Sequence, residues 1–280
     1  MYKIICDSSC DILSLEGINF EAVPLTISTD EKIYVDDADL DIHGMLDDLE
    51  KYNGRSRTAC PSTDSWLKAM GNADEIYVFA LTSGLSGTYN SACIAKDIYM
   101  EEHPSAHVHV FDTLTTASEL RLHVERCAEL KKEGKSFYAV VSYMTDYMKT
   151  TRLFFAFKSL HNFAQNGRVN KVVAQAVGVL GLSILGTASQ DGKVEATGKC
   201  RGDKKVIAAL LNDALAAGYN GGKIRICHME NEALANKAAE AFATSFPGAD
   251  ILVYPAMGLC SYYGERGGII LSCECRQPTE

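Results

Sequence analysis

Short apolar runs alternate with stretches of helical period along the first half of the chain. Ile4–Cys6, Phe20–Leu25, Ile76–Leu81 and His107–Phe111 read as strands. Asp41–Tyr52, Ser62–Met70, Tyr89–Glu102 and Thr116–Glu133 read as helices, and Ser62 after Pro61 supplies an N-cap. Such alternation predicts a mostly parallel sheet with helices on both faces, a three-layer α/β/α domain. The second half is ordered differently. Arg152–Phe157 reads as a strand and Asn166-Gly167 as a helix stop. Gly181–Ala188 and Val194–Lys199 flank Asp191-Gly192, a hairpin signal. Helices Lys204–Ala217 and Glu232–Ser245 and strands Lys223–Cys227, Ile251–Tyr254 and Gly268–Cys273 follow. Hairpins mixed with helices predict a two-layer α/β domain with a mixed sheet. The expected domains are 1–150 and 151–280, with the ligand between them and no Pro- or Ser-rich linker at the boundary.

The uncharged run Val172–Gln190 contains Gln175, Ser183, Thr187 and Ser189. It falls short of the ~20 mostly apolar residues of a membrane span and reads as a buried helix followed by a strand. Met1–Asp7 reads as a short strand and not a signal peptide, so a cytoplasmic protein is expected. The net charge of -9 argues against nucleic acid as a partner and against an anionic membrane surface. An anionic ligand would need local donors. The 10 cysteines sit mostly in apolar runs without a disulfide framework, and Cys273-Glu-Cys275 has no second pair at zinc-ligand spacing. Reduced, mostly buried thiols are expected, with no metal and no cofactor.

The densest chemistry lies in Thr82-Ser83-Gly84-Leu85-Ser86-Gly87-Thr88-Tyr89, between a predicted strand and a predicted helix. Two glycines and several hydroxyls at a helix start present N–H and O–H donors to a carboxylate or phosphate. A well-capped helix after a tight turn is the structural alternative. Ligands of parallel sheets bind at the carboxyl ends of strands, where Asp7-Ser8-Ser9 and Asp112-Thr113 also fall. Asp7 is equally suited to capping a helix with Ser8 and Ser9.

Several motifs, in order along the chain, carry a resemblance. Asp7-Ser8-Ser9-Cys10-Asp11, Thr58-Ala59-Cys60-Pro61-Ser62, Leu81–Ala92, Gly167-Arg168-Val169 and Lys199-Cys200-Arg201-Gly202-Asp203-Lys204-Lys205 resemble the DSSxD, TSQPS, SSGLSGTYxSA, GGRI and KxRxxKK elements of the DegV family. The central motif is the specific one. The resemblance implies a two-domain fold that binds one long-chain fatty acid in an apolar tunnel. The acid would be presented to a separate fatty acid kinase subunit, in the supply of phospholipid precursors, with transient membrane contact open to such a carrier. It places the head group on Thr58 and Ser86, with the Gly87 N–H and the Ser83 and Thr88 hydroxyls as further donors. Without it, Thr58 reads equally as a turn hydroxyl before Pro61. Arg168 and Arg201 read either as surface ion pairs or as a basic rim facing the kinase or the acyl phosphate. Lys204 and Lys205 read as a solvated helix face.

The chain departs from the family's pattern in three places. TSQPS has become TACPS. Many relatives end on a GxHxGPG element whose histidine helps hold the carboxylate, and Gly258–Gly268 has none. Cys260 stands nearest, and Ser261 or Tyr262 are the other expected replacement donors. Thr113 replaces a usual serine, and Glu119 and Arg121 stand where relatives carry small or apolar residues. Either that helix face is solvated or the tunnel is altered. Two enzyme readings remain. Gly84-Leu85-Ser86-Gly87-Thr88 is one residue from a nucleophile elbow, with His228 as the best-placed base, which would make Ser86 a hydrolase nucleophile. A Walker-type kinase is disfavoured, because no G-x-x-x-x-G-K-[ST] is present and no Lys stands in the Gly84–Tyr89 turn.

Overall fold

Four strands, β1 (Tyr2–Asp7), β2 (Phe20–Val23), β6 (Glu75–Ala80) and β7 (His107–Asp112), form a parallel sheet in the order β2-β1-β6-β7. The computed structural model describes residues 1–169 and 181–275. Successive side chains of β1 and β6 point to opposite faces, and both faces are covered. Ile5, Ile76 and Val78 pack with Trp66 of α2 (Thr63–Met70) and Ala92, Ala95 and Tyr99 of α3 (Thr88–Glu102). Ile4, Tyr77 and Phe79 pack with Leu120 and Val124 of α4 (Ala117–Lys132) and Val140 and Met144 of α5 (Phe137–Tyr147). These elements match the predicted pattern, except that α5 is not predicted. Its buried residues Phe137, Val140, Met144 and Tyr147 keep helical spacing among β-branched and aromatic neighbours that hide it.

The pattern also misses a small antiparallel sheet, β4-β3-β5, formed by β3 (Thr26–Ser28), β4 (Ile33–Val35) and β5 (Arg57–Ala59). Each strand has 3 residues, too few for an alternation to register. Helix α1 (Ile42–Lys51) follows β4.

Six strands form the second sheet: β8 (Thr151–Phe157), β9 (Leu182–Ala188), β10 (Val194–Arg201), β11 (Ile224–His228), β12 (Ile251–Pro255) and β13 (Ile269–Glu274). Their order is β10-β9-β8-β13-β11-β12; only β11 and β12 pair in parallel, so the sheet is mixed. One face packs on α7 (Asp203–Ala216) and α8 (Glu232–Ser245) through Phe154, Ile226 and Leu271. A short helix, α6 (His161–Gln165), follows β8 and stops at Asn166-Gly167. The predicted helix inside 172–190 falls largely outside the described residues, and β9 is the strand expected after it.

Helix α4 lies between the two sheets. Its Leu120 and Val124 face the first, while Ser118 meets Ser272 of β13 at 2.7 Å and His123 meets Thr151 of β8 at 2.8 Å. Glu119 is buried and not solvated. Its carboxylate accepts the hydroxyls of Thr115 (2.5 Å) and Thr151 (2.6 Å), and burial raises its pKa. Arg121 is half-buried, pairs with Glu125 at 2.7 Å and stacks 4.3 Å from the centre of the Tyr254 ring. The solvated-face expectation for this part of α4 therefore fails, because the second sheet covers it.

The sequence pattern also gives no sign of helix α9 (Gly258–Gly264), between β12 and β13. Its Leu259 and Tyr262 enter the core of the N-terminal half. Two carboxylates from that half take its first N–H groups. Asp36 accepts from Gly258 (2.6 Å) and Leu259 (3.1 Å), and Asp11 accepts from Met257 (2.7 Å). Asp7 similarly accepts the N–H of Leu81 at 2.6 Å and of Ser9 at 3.1 Å, tying the ends of β1 and β6. Burial lifts these carboxyl groups to about 6 for Asp7, about 7 for Asp11 and about 6 for Asp36.

The halves also touch at the β9–β10 hairpin. Its turn closes by Gly192 N–H to Ser189 O at 2.9 Å. Gly192 has φ +70°, and a Cβ there would run into Thr82 Oγ1 and stand 2.9 Å from Leu114 O. A Cβ on Gly84 would in turn meet the Asp191 carbonyl. Gly192→Ala is expected to cost at least about 2 kcal/mol, from left-handed strain plus overpacking, read in urea unfolding. An unchanged midpoint would show that the hairpin is not clasped there.

The buried carboxyl groups give a pH dependence of definite sign. Asp36 binds its proton more tightly folded (about 6) than at its ordinary value of 3.8. Its contribution to stability is therefore present below pH 3.8 and lost as pH rises through about 6. Asp36→Asn should lose less stability than the parent between those two values, measured by denaturant unfolding at several pH values. Parallel curves for the two proteins would contradict it.

Candidate functional site

The turn after β6 is built on its own hydrogen bonds. Thr82 N–H donates to Thr115 O at 2.9 Å, and the N–H groups of Leu85 and Ser86 return to Thr82 O at 3.2 Å each. Thr82 Oγ1 accepts Gly84 N–H at 3.0 Å. The Ser86 hydroxyl shares a hydrogen bond with the Thr88 hydroxyl (2.8 Å) and accepts the Thr88 N–H (3.3 Å). The Gly87 N–H, at the cap of α3, has no acceptor among the described residues.

A cavity opens from this turn into the space between the sheets. Thr58, Ser86, Thr116, Arg168 and Tyr263 are its polar lining; Leu81, Leu85, Phe157, Phe163 and Ile270 are among its apolar residues. A second cavity shares Leu85, Thr116, Phe157, Phe163 and Ile270 with the first and continues past Leu153, Phe155 and Val194. The two cavities adjoin through these five residues; hydroxyls and the Arg168 guanidinium line the first, and Thr187 and Lys193 stand at the second. Its walls come from both halves of the chain: β5 brings Thr58, the turn before α3 brings Ser86, β8 brings Phe157, and α9 brings Cys260 and Tyr263.

The Tyr263 hydroxyl lies 2.8 Å from Thr58 Oγ1. Burial raises the Tyr263 pKa, so the phenol stays neutral and able to donate. Arg168 donates from Nε to Leu85 O (3.2 Å) and from Nη1 to Asn166 O (2.5 Å), and it has no ion pair among the described residues. Two carbonyls thus hold a fixed cation in the cavity wall without neutralising it. An anionic head group here would meet three hydroxyls and a guanidinium, which is charge-assisted hydrogen bonding.

The structure separates the expected site residues. Thr58, Ser86, Cys260 and Arg168 line the cavity. Ser83 does not: its N–H (3.0 Å) and hydroxyl (2.5 Å) are spent on the exposed Asp112 side. Thr88 is fully buried and meets the site only through Ser86. Ser261 turns to the carbonyl of Ala256 at 3.2 Å, away from the cavity. Tyr262 points to the far side of α9, onto Ser56 (2.7 Å) and Asn166 (2.8 Å). Cys260 stands in the wall but directs its thiol at Ser9 O, 3.4 Å away. Arg168, expected on a partner-facing rim, is in the cavity wall; Arg201 is exposed at the end of edge strand β10, outside the cavity lining. Asp7 caps the short turn Ser8–Cys10, as its structural alternative held.

Tyr263 is the donor that sequence reading overlooks. The signal was helical spacing: once Gly258–Gly264 is a helix, Cys260 and Tyr263 share a face, while Leu259 and Tyr262 share the other. The geometry gives the hydrolase reading no support. The partner of the Ser86 hydroxyl is Thr88, and His228 is absent from both cavity walls, with its Nδ1 buried and unpartnered. Among the described residues, no His, Cys, Asp or Glu side chains group to hold a metal ion, and no helix is long and apolar enough to cross a membrane. Among the described residues no disulfide joins any of the 10 cysteines.

Comparison with known proteins agrees with this architecture. The family described as "Uncharacterised protein, DegV family" matches residues 1–269. A DegV domain-containing protein of Streptococcus pneumoniae serotype 4 is 40% identical over 277 residues, 98% of this chain and 99% of its own. Among solved structures, a DegV family protein from Eubacterium eligens loaded with heptadecanoic acid is 55% identical with a TM-score of 0.97, over 99% of this chain and 100% of that one. The Streptococcus pneumoniae Fatty Acid Kinase (Fak) B3 protein loaded with linoleic acid is 39% identical with a TM-score of 0.96, over 98% and 99% of the two chains. With family match, sequence and fold in agreement over nearly its whole length, this chain belongs to the DegV family.

Proposed function

We propose that the protein binds one long-chain fatty acid and presents its carboxylate to a separate fatty acid kinase, without chemistry of its own. The observation that carries this is the pair of adjoining, mostly apolar cavities, the first of which is also lined by Thr58, Ser86, Tyr263 and Arg168. The apolar walls suit an acyl chain, which gains about 0.8 kcal/mol per buried CH₂. The hydroxyls and guanidinium suit its carboxylate. The fatty acids held by the E. eligens and S. pneumoniae relatives support the same ligand class. Arg168 carries a charge that also suits the acyl phosphate a kinase would make, and Arg201 offers that kinase an exposed cation. The absence of a disulfide among the described residues fits a cytoplasmic carrier.

Native mass spectrometry of protein purified without added lipid should show one co-purified acid of ~16–18 carbons, a length suited to burial along the adjoining cavities. Ser86→Ala, Thr58→Val and Tyr263→Phe should each weaken binding of a fluorescent fatty acid by about 1–3 kcal/mol, since each removes one donor from a charged partner. Their unfolding midpoints should move far less. Parent-like affinity in all three would remove the head group from this end of the cavity. Hydrolysis of a short p-nitrophenyl ester that vanishes in Ser86→Ala would replace the carrier with an enzyme.

A further inference from the structure

Helix α9 has 7 residues, and its cap residue Met257 contributes no side-chain bond. So short a helix does not hold its own rotation or depth in water. Its position nevertheless decides where Tyr263 stands. One residue of rotation is about 100°, enough to carry the phenol out of the cavity wall.

Asn162 and Asn166 bond to Tyr262, but the start of α9 is held from the other half of the chain. Asp36 is 1% exposed and uses both carboxylate oxygens on the helix start, Oδ1 on Gly258 N–H (2.6 Å) and Oδ2 on Leu259 N–H (3.1 Å). The approach is so close that a Cβ on Gly258 would stand 2.7 Å from Asp36 Oδ1. Asp36 is itself set by the small sheet. It follows β4 directly, and its own N–H donates to Leu25 O at 2.9 Å. In that sheet β4 pairs with β3, and β3 pairs Ile27 with Thr58 of β5. Backbone ladders therefore place Thr58, and Asp36 places Tyr263 from the same sheet. The Thr58–Tyr263 hydrogen bond at 2.8 Å is where the two paths close.

We infer that Asp36 is a positioning residue for the ligand head group, fixing the Tyr263 hydroxyl against Thr58 through the start of α9. This rests on the fatty-acid reading of the cavity. Asp36 does not itself line the cavity; it reaches the lining through the backbone of Leu25 and of Leu259, the second on α9.

The test is a double-mutant cycle on affinity for a fluorescent long-chain fatty acid, with delipidated parent, Asp36→Ala, Tyr263→Phe and the double variant. Asp36→Ala should lose about tenfold in affinity on the parent background and no more than about twofold on the Tyr263→Phe background. Asp36→Asn, which keeps one acceptor oxygen, should fall between parent and Asp36→Ala, and it carries the same cycle if Asp36→Ala does not fold. A purely structural role would weaken both backgrounds by the same factor. Equal losses, or parent-like affinity on removal of Asp36, overturn the inference while the ligand assignment stands. A parent protein that binds no fatty acid overturns the ligand assignment and this inference with it.

Discussion

Two sheets share one helix, and the rest of the molecule follows from that. Buried residues run almost around α4, so it cannot be withdrawn from either half without exposing a core. The first sheet takes Leu120 and Val124; the second takes Ser118 and His123 through hydrogen bonds. Helices elsewhere cover only one side of a sheet. The cavities lie beyond the N-terminal end of α4, past Thr115 and Thr116, where α9 and the turn before α3 supply the walls that α4 no longer does.

Sharing a helix brings polar groups into a place without water. Glu119 and His123 lie on the α4 surface that faces β8, with Thr115 and Thr151 as partners. Burial holds the carboxyl group toward its neutral form and pushes the imidazole down to about 3. The imidazole therefore stays uncharged, and the Thr115 and Thr151 hydroxyls supply the hydrogen bonds that the buried Glu119 carboxyl group needs. The network fixes which turn of α4 meets β8, which an apolar contact would leave less defined.

Much of this was legible in the residues. Long elements with a clear period, such as Thr88–Glu102 and His107–Asp112, declare themselves, and so does the hairpin at Asp191-Gly192. The hydroxyl-rich turn named one end of the cavity. What stayed hidden were elements whose conformation is set from a distance. The three-residue strands exist because they pair with one another, and α9 exists because Asp36 and Asp11 meet its first N–H groups. No local propensity encodes either. Tyr263 was lost with α9, and Glu119 was misjudged because the sheet that buries it begins thirty-odd residues later, at Thr151.

The glycine at position 84 changes the meaning of the motif that contains it. Beside Ser86 it reads as a local device for presenting donors. Its backbone instead faces the carbonyl of Asp191, and Gly192 faces Thr82 in return. Each glycine is small because the other segment is there. The turn is thus half of a lock whose other half lies a hundred residues further on. Exchange of a whole half between relatives would succeed only where the incoming half brings its own glycine at the matching position, so each half constrains what the other can accept.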